Sequence, residues 1–156
     1  MKSRIPVLAF LLVSIASIAG CSSDGPTEPG GQNGPANGSM TARIDGNAWT
    51  ATIVTPGITG GISAIGGSDG SRTMAFAWAE GGPGTYQIGS SIGLNANLTI
   101  AGGTWVASAV TGSGTLTVAT RTQNRITGTF NFTMNPGSGA ASGTRAVTQG
   151  AFDITF

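Results

Sequence analysis

Histidine is absent from this 156-residue chain, and cysteine occurs once, at position 21. Without histidine, the sequence lacks the commonest general base at neutral pH and the commonest metal ligand. A single cysteine cannot form an intramolecular disulfide, and no lysine follows Lys2 that could serve a phosphate-binding loop. We therefore expect a protein that is not an enzyme and that has no cofactor and no metal site.

Charge is also scarce, since only 8% of the residues are charged. From Cys21 onward, five arginines stand against six acidic residues, which gives a net charge of −1. Nucleic-acid binding depends on a positively charged surface, so no nucleic-acid partner is expected.

The first twenty residues have the form of a cleaved secretory signal peptide. Lys2 and Arg4 give a positive start, and the small residues Ala19 and Gly20 precede Cys21. The apolar stretch between them, residues 5–18, has 14 residues, whereas a membrane-spanning helix needs about 20. The sequence thus predicts export, with residues 1–20 removed.

The tetrapeptide at residues 18–21, Ile-Ala-Gly-Cys, resembles the lipobox of bacterial lipoproteins. The resemblance implies cleavage before Cys21, a diacylglyceryl group on its sulfur and acylation of the new α-amine. The alternative is an ordinary cleaved signal with a free thiol, which would be a liability in an oxidising compartment. Ser22, in place of an aspartate, resembles an outer-membrane address. We therefore expect the protein to be attached to a membrane through lipid on Cys21.

Residues 22–39 contain five glycines, three prolines and no large apolar side chain. Such a segment cannot bury enough apolar surface to offset the entropy of ordering it. The predicted organisation is a signal peptide at 1–20, a lipidated cysteine with a flexible, disordered linker at 21–39, and a β domain at 40–156.

From Met40 onward, short stretches rich in threonine, valine, isoleucine and aromatics alternate with glycine-containing turns. In residues 125–134, apolar and polar residues alternate with period two, as in a half-buried strand. The segment 48–54 is predicted as one strand, and 122–124 as a hairpin turn. Nine or ten short strands predict an all-β fold, either an antiparallel β-sandwich or a closed meander barrel.

Three short motifs carry a resemblance within this domain. They are Ala42–Ala51, Gly128-Thr129-Phe130 and Gly150-Ala151-Phe152. Together they resemble an uncharacterised family of β-rich bacterial lipoproteins, which implies location and fold but supplies no catalytic residue. Physically, Asp45-Gly46 predicts a tight turn and Trp49 a core anchor.

Two segments match the G-x-S-x-G pattern of a nucleophile elbow, residues 66–70 and 89–93. The elbow requires a histidine partner that this chain lacks, so Ser68–Ser71 is predicted as a hairpin turn instead. The acidic residues of the domain are scattered, and nothing in the sequence pairs two of them as in a glycosidase. Hydrolase activity is therefore the remote alternative.

Trp105 lies in a stretch that is apolar on both strand faces, so either face could be the core. We expect Trp105 to pack inward; if it points outward, it becomes the candidate for contact with a ligand or partner. The leading function is a lipid-anchored, non-catalytic domain of the cell envelope with a binding or structural role, with an envelope protein or glycan as partner. The alternative is a carrier of lipids or small molecules with a barrel cavity.

Overall fold

The computed structural model describes residues 37–79, 81–89 and 93–156. The strands, in chain order, are β1 (Asn37–Ile44), β2 (Asn47–Thr50), β3 (Ile53–Thr59), β4 (Ile62–Ser68), β5 (Arg72–Ala79), β6 (Gly84–Gln87), β7 (Asn95–Ile100), β8 (Gly103–Ala107), β9 (Ser113–Arg121), β10 (Arg125–Gly139) and β11 (Arg145–Thr155). Among these residues, no helix is long and apolar enough to cross a bilayer. The predicted signal peptide, Cys21 and residues 22–36 lie outside the described ranges.

All strand pairs are antiparallel, which confirms the predicted all-β, antiparallel fold class. The strands form one strongly curled sheet in the order β2-β1-β11-β10-β8-β7-β5-β4-β3, and β9 and β6 branch from β10. The result is a half-barrel. This arrangement is intermediate between the two folds predicted from the sequence, the β-sandwich and the closed barrel.

The longest strand, β10, joins the two halves of the sheet. Residues 125–134 pair with β9 and β11, while residues 135–139 pair with β8. We call β2, β1, β11, β9, β6 and the start of β10 the first half, and β8, β7, β5, β4 and β3 the second half. The register with β8 shifts between Pro136 and Ser138, an irregularity at which a proline without an N–H group is tolerated.

Aromatic side chains fill the interior between the two halves. Phe76 of β5 lies with its ring centroid 5.0 Å from that of Phe130 on β10 and 5.7 Å from that of Phe152 on β11. The alternation predicted for β10 is confirmed, since its buried residues are Ile126, Gly128, Phe130, Phe132 and Met134. The centre of the half-barrel is therefore a packed core.

The two Gly-x-Phe motifs pair with each other across β10 and β11. Gly128 lies opposite Phe152, and Gly150 lies opposite Phe130. A Cβ atom on Gly128 would lie 2.5 Å from Phe152 Cζ, and one on Gly150 would overlap the Phe130 ring. Each ring thus occupies the space that a side chain on the opposite glycine would need, which fixes the register of the two strands.

Two boundaries differ from the prediction. Residues 37–39, predicted as the end of the linker, pair with residues 153–155 of β11, because backbone pairing does not require apolar side chains. The segment 48–54, predicted as one strand, is divided at Ala51 and Thr52, whose N–H groups donate to Met40 O and Ser68 O. These bonds lead the chain from the first half to the second. The described residues form eleven strands, where the sequence predicted nine or ten.

The predicted turns are confirmed. Asp45-Gly46 joins β1 to β2, residues 69–71 join β4 to β5, and residues 122–124 join β9 to β10. Trp49, the predicted core anchor, is 2% exposed.

Replacing Gly128 by alanine is expected to lower the free energy of unfolding by about 1–3 kcal/mol, a typical cost of overpacking a core. The added Cβ would collide with Phe152 and with the backbone oxygen of Thr117. Gly57→Ala in β3 is the control, because a Cβ there meets nothing within 4 Å. Urea titrations of both variants measure the effect, and equal midpoints would contradict this account of the motif.

Candidate functional site

A groove of about 410 Å³ crosses the solvent-facing side of four neighbouring strands in the first half. Its walls come from the end of β6, the start of β9, the middle of β10 and the start of β11. Its polar lining residues are Gln87, Ser113, Thr115, Asn131, Thr133 and Thr148. Because all of the lining residues are neutral, the groove presents hydroxyl and amide groups without a net charge.

The pairing register shows that the groove runs across the strands. Thr115 lies opposite Gln87 on one side and Asn131 on the other. In the next row, Thr133 lies opposite Ser113. Since neighbouring strands are about 4.8 Å apart, each row offers one side chain per step of that length. A third row runs beside these two and consists of Thr85, Thr117 and Thr129.

A β-bulge shapes the end of the groove at β11. Between the pairs Phe130–Gly150 and Phe132–Val147, two residues of β11 face Asn131 alone. One of them, Gln149, has a φ of 52°, and its N–H donates to Asn131 Oδ1 at 3.0 Å. The Asn131 side chain therefore closes the bulge, and its Nδ2 has no hydrogen-bond partner within the described ranges.

The three aspartates of the described residues are each held by an arginine. The pairs, with N–O distances of 2.6, 2.7 and 2.6 Å, are Asp45–Arg145, Asp69–Arg72 and Asp153–Arg125. They lie in two separate turns and on β11, outside the groove. Within the same residues, no three histidine, cysteine, aspartate or glutamate side chains cluster as metal ligands would.

Hydrogen bonds lower the pKa of each of these three carboxyl groups. Burial alone would raise the pKa of Asp45, but hydrogen bonds from Ala146 N and Arg145 outweigh it, and the net pKa is lowered. The pKa of Asp69 is lowered in the same way, by backbone hydrogen bonds that outweigh burial. The pKa of Asp153 is lowered by its hydrogen bonds with Arg125. All three groups are therefore carboxylates at neutral pH.

Trp105, the residue singled out for possible ligand contact, packs inward and is 3% exposed. Its Nε1 donates to Gly143 O at 2.8 Å, and the Arg145 guanidinium carbon lies 4.7 Å from the centroid of its ring system. Because Arg145 also binds Asp45, these contacts tie β8, the β10–β11 connection and the β1–β2 turn together. The role of Trp105 here is packing and support of Arg145.

The β1–β2 turn is fixed to β11 by Asp45, which has a φ of 50°. Its backbone N–H donates to Ala146 O at 2.8 Å, and its Oδ1 accepts from Ala146 N at 2.9 Å. On the other side of the turn, Arg43 donates to Gly46 O at 2.8 Å. Asp45 and Arg43, within the motif Ala42–Ala51, thus form hydrogen bonds that fix the turn between β1 and β2.

Ser68 lies where β4 meets its turn to β5. Its Oγ accepts a hydrogen bond from Gly70 N at 3.2 Å, while Asp69 Oδ1 accepts one from Ser71 N at 2.9 Å. This is the predicted hairpin turn, which has neither the helix nor the histidine of a nucleophile elbow. The second match to that pattern includes residues 90–92, which lie outside the described ranges.

No groove residue is predicted as a site from the sequence. The alternation in β10 does place Asn131 and Thr133 on the outer face, and this is the one signal that could have found them. Nothing in the local sequence gives the order β6-β9-β10-β11 or the bulge beside Gln149, because both depend on pairing between distant segments.

Replacing Trp105 by alanine is expected to lower the free energy of unfolding by about 3–5 kcal/mol, as for other large buried aromatics. Trp105→Phe keeps much of the packing but loses the hydrogen bond to Gly143, so it should cost less. Chemical unfolding of both variants checks the order. A Trp105→Ala midpoint equal to that of the native chain would refute the packing role.

Acid is expected to destabilise the domain through its aspartates. A carboxyl whose pKa is lower in the folded state stabilises the fold above its unfolded pKa of about 3.9, and this contribution is lost as pH falls toward the folded pKa. Asp45→Asn should therefore be less stable than the native chain at pH 7, with a difference that shrinks below about pH 4. Thermal unfolding across this range checks it, and a difference independent of pH would contradict it.

The comparisons with known proteins agree with the expectation that the domain belongs to an uncharacterised family. No curated protein and no solved structure matches the chain significantly. A protein-family match covers residues 36–153, and the family is described as a domain of unknown function, DUF6252. Because this match spans the whole sheet except its last residues, the chain belongs to the DUF6252 family.

Proposed function

We propose that the protein is an exported, lipid-anchored domain of the cell envelope that binds another envelope component without catalysing a reaction. Lipid on Cys21 attaches it to the membrane, most simply the outer membrane, as the signal-like leader and the lipobox-like residues 18–21 suggest. The linker gives the half-barrel reach above the lipid surface.

The observation that carries the binding role is the neutral groove across β6, β9, β10 and β11. Hydroxyl and amide groups can hold a polar ligand, but without a partner base they do not activate a nucleophile. The described aspartates support the same conclusion, since each is paired with an arginine and none is among the residues that line the groove. The groove therefore fits recognition better than hydrolysis.

The carrier alternative is less well supported by the interior. A carrier needs space between the strands, and that space is occupied at its centre by Phe76, Phe130 and Phe152. Binding on the outer surface does not require this core to open.

Anchoring is tested by cell fractionation of the full chain. Cys21→Ala should move from the membrane fraction to the soluble fraction, because it has no sulfur to acylate. Ser22→Ala is the matched control and should remain with the membrane. Cys21→Ala remaining in the membrane fraction would overturn lipid anchoring.

The binding role is tested separately with a photo-crosslinking residue in the full chain in cells. Placed at Thr133 in the groove, it should give crosslinks to an envelope component, whereas at Thr99 on the exposed face of β7 it should give few. The same crosslinking yield at both positions would overturn the groove as the binding surface.

A further inference from the structure

We infer that the ligand of the groove is a linear glycan strand of the cell wall, which lies across the strands of the sheet and is recognised through its uncharged hydroxyl and acetamido groups. This inference rests on the proposed envelope-binding function and names its ligand class. It is carried by two features of the groove, its direction and its chemistry, and its side-chain spacing is compatible with it.

Direction separates a glycan from a peptide. Peptides that extend a sheet lie parallel to its strands at a free edge, where backbone groups are unpaired. The floor of this groove is instead formed by β9 and β10, both of which have paired neighbours on either side. A ligand in the groove can therefore contact side chains, which lie in rows perpendicular to the strands, but cannot pair with the backbone of these two strands.

The spacing across the strands, which antiparallel sheets share, is compatible with a polymer that has a short, regular repeat. One row places Gln87, Thr115 and Asn131 on successive strands, about 4.8 Å apart. This step is close to the length of one sugar residue in an extended β-linked chain. A polar side chain can therefore lie beside each successive sugar along the row.

The chemistry of the lining matches sugar hydroxyl and acetamido groups. Each threonine hydroxyl both donates and accepts a hydrogen bond, and an asparagine amide donates two. Asn131 Oδ1 is used within the bulge, which directs its Nδ2 donor toward a ligand. The lining of the groove has no cationic side chain that would suit a phosphate.

Neutral hydrogen bonds largely replace those with water, so each sugar adds little affinity. Binding should therefore increase with chain length. For the full chain in detergent, we expect the hexamer of β-1,4-linked N-acetylglucosamine to bind at least about tenfold more tightly than the monomer. The α-1,4-linked glucose hexamer, which coils, should bind no better than that monomer.

The test variant is Thr115→Val with Thr133→Val, which removes two groove hydroxyls while keeping β-branched side chains. It should bind the N-acetylglucosamine hexamer at least about tenfold more weakly, and its thermal unfolding should match that of the native chain. Thr99→Val, on the exposed face of β7, is the control and should bind like the native chain. Retention on purified cell-wall sacculi should follow the same order.

No binding of the hexamer and no retention on sacculi would overturn the glycan inference, as would equal binding of the double variant. If groove crosslinks in cells then lead to a protein, the binding function stands and its ligand class is different. If groove crosslinks are absent as well, both the ligand class and the binding function are wrong.

Discussion

The reciprocal contact of two glycines with two phenylalanine rings holds the central strand pair, β10 and β11, in register. A shift of one residue would move every side chain of a strand to the opposite face, so this contact decides which residues enter the core. The other strands of the first half pair outward from β10 and β11, and β10 continues into the second half. The position of both halves thus depends on these four residues.

The same contact explains where the groove lies. Phe130 and Gly150 face the core, and the residues beside them, Asn131 and Gln149, form the bulge on the outer face. A bulge bends its strand and increases the local twist, and it commonly redirects side chains near functional sites. Because inner contact and outer bulge are adjacent residues of the same two strands, the shape of the groove is set by the core beneath it.

Local pattern was sufficient for part of this fold. The alternation in β10, the inward packing of Trp49 and the Asp45-Gly46 turn follow from residue type and spacing, because each is decided within a few residues. The strand start at Asn37 could not be predicted in this way, since it pairs with Thr155 at the far end of the chain. The groove could not be predicted for the same reason, because its lining comes from four strands whose order no short segment encodes.

The pairing of β1 with β11 has a consequence for how the protein is made. Synthesis delivers the chain from its first residue onward, so β1 emerges long before its partner. With β11 still missing, β1 has only the short strand β2 beside it, and such a hairpin is marginally stable in water. Contacts this distant in sequence also form slowly. The chain therefore cannot complete its sheet until nearly all of it has been synthesised.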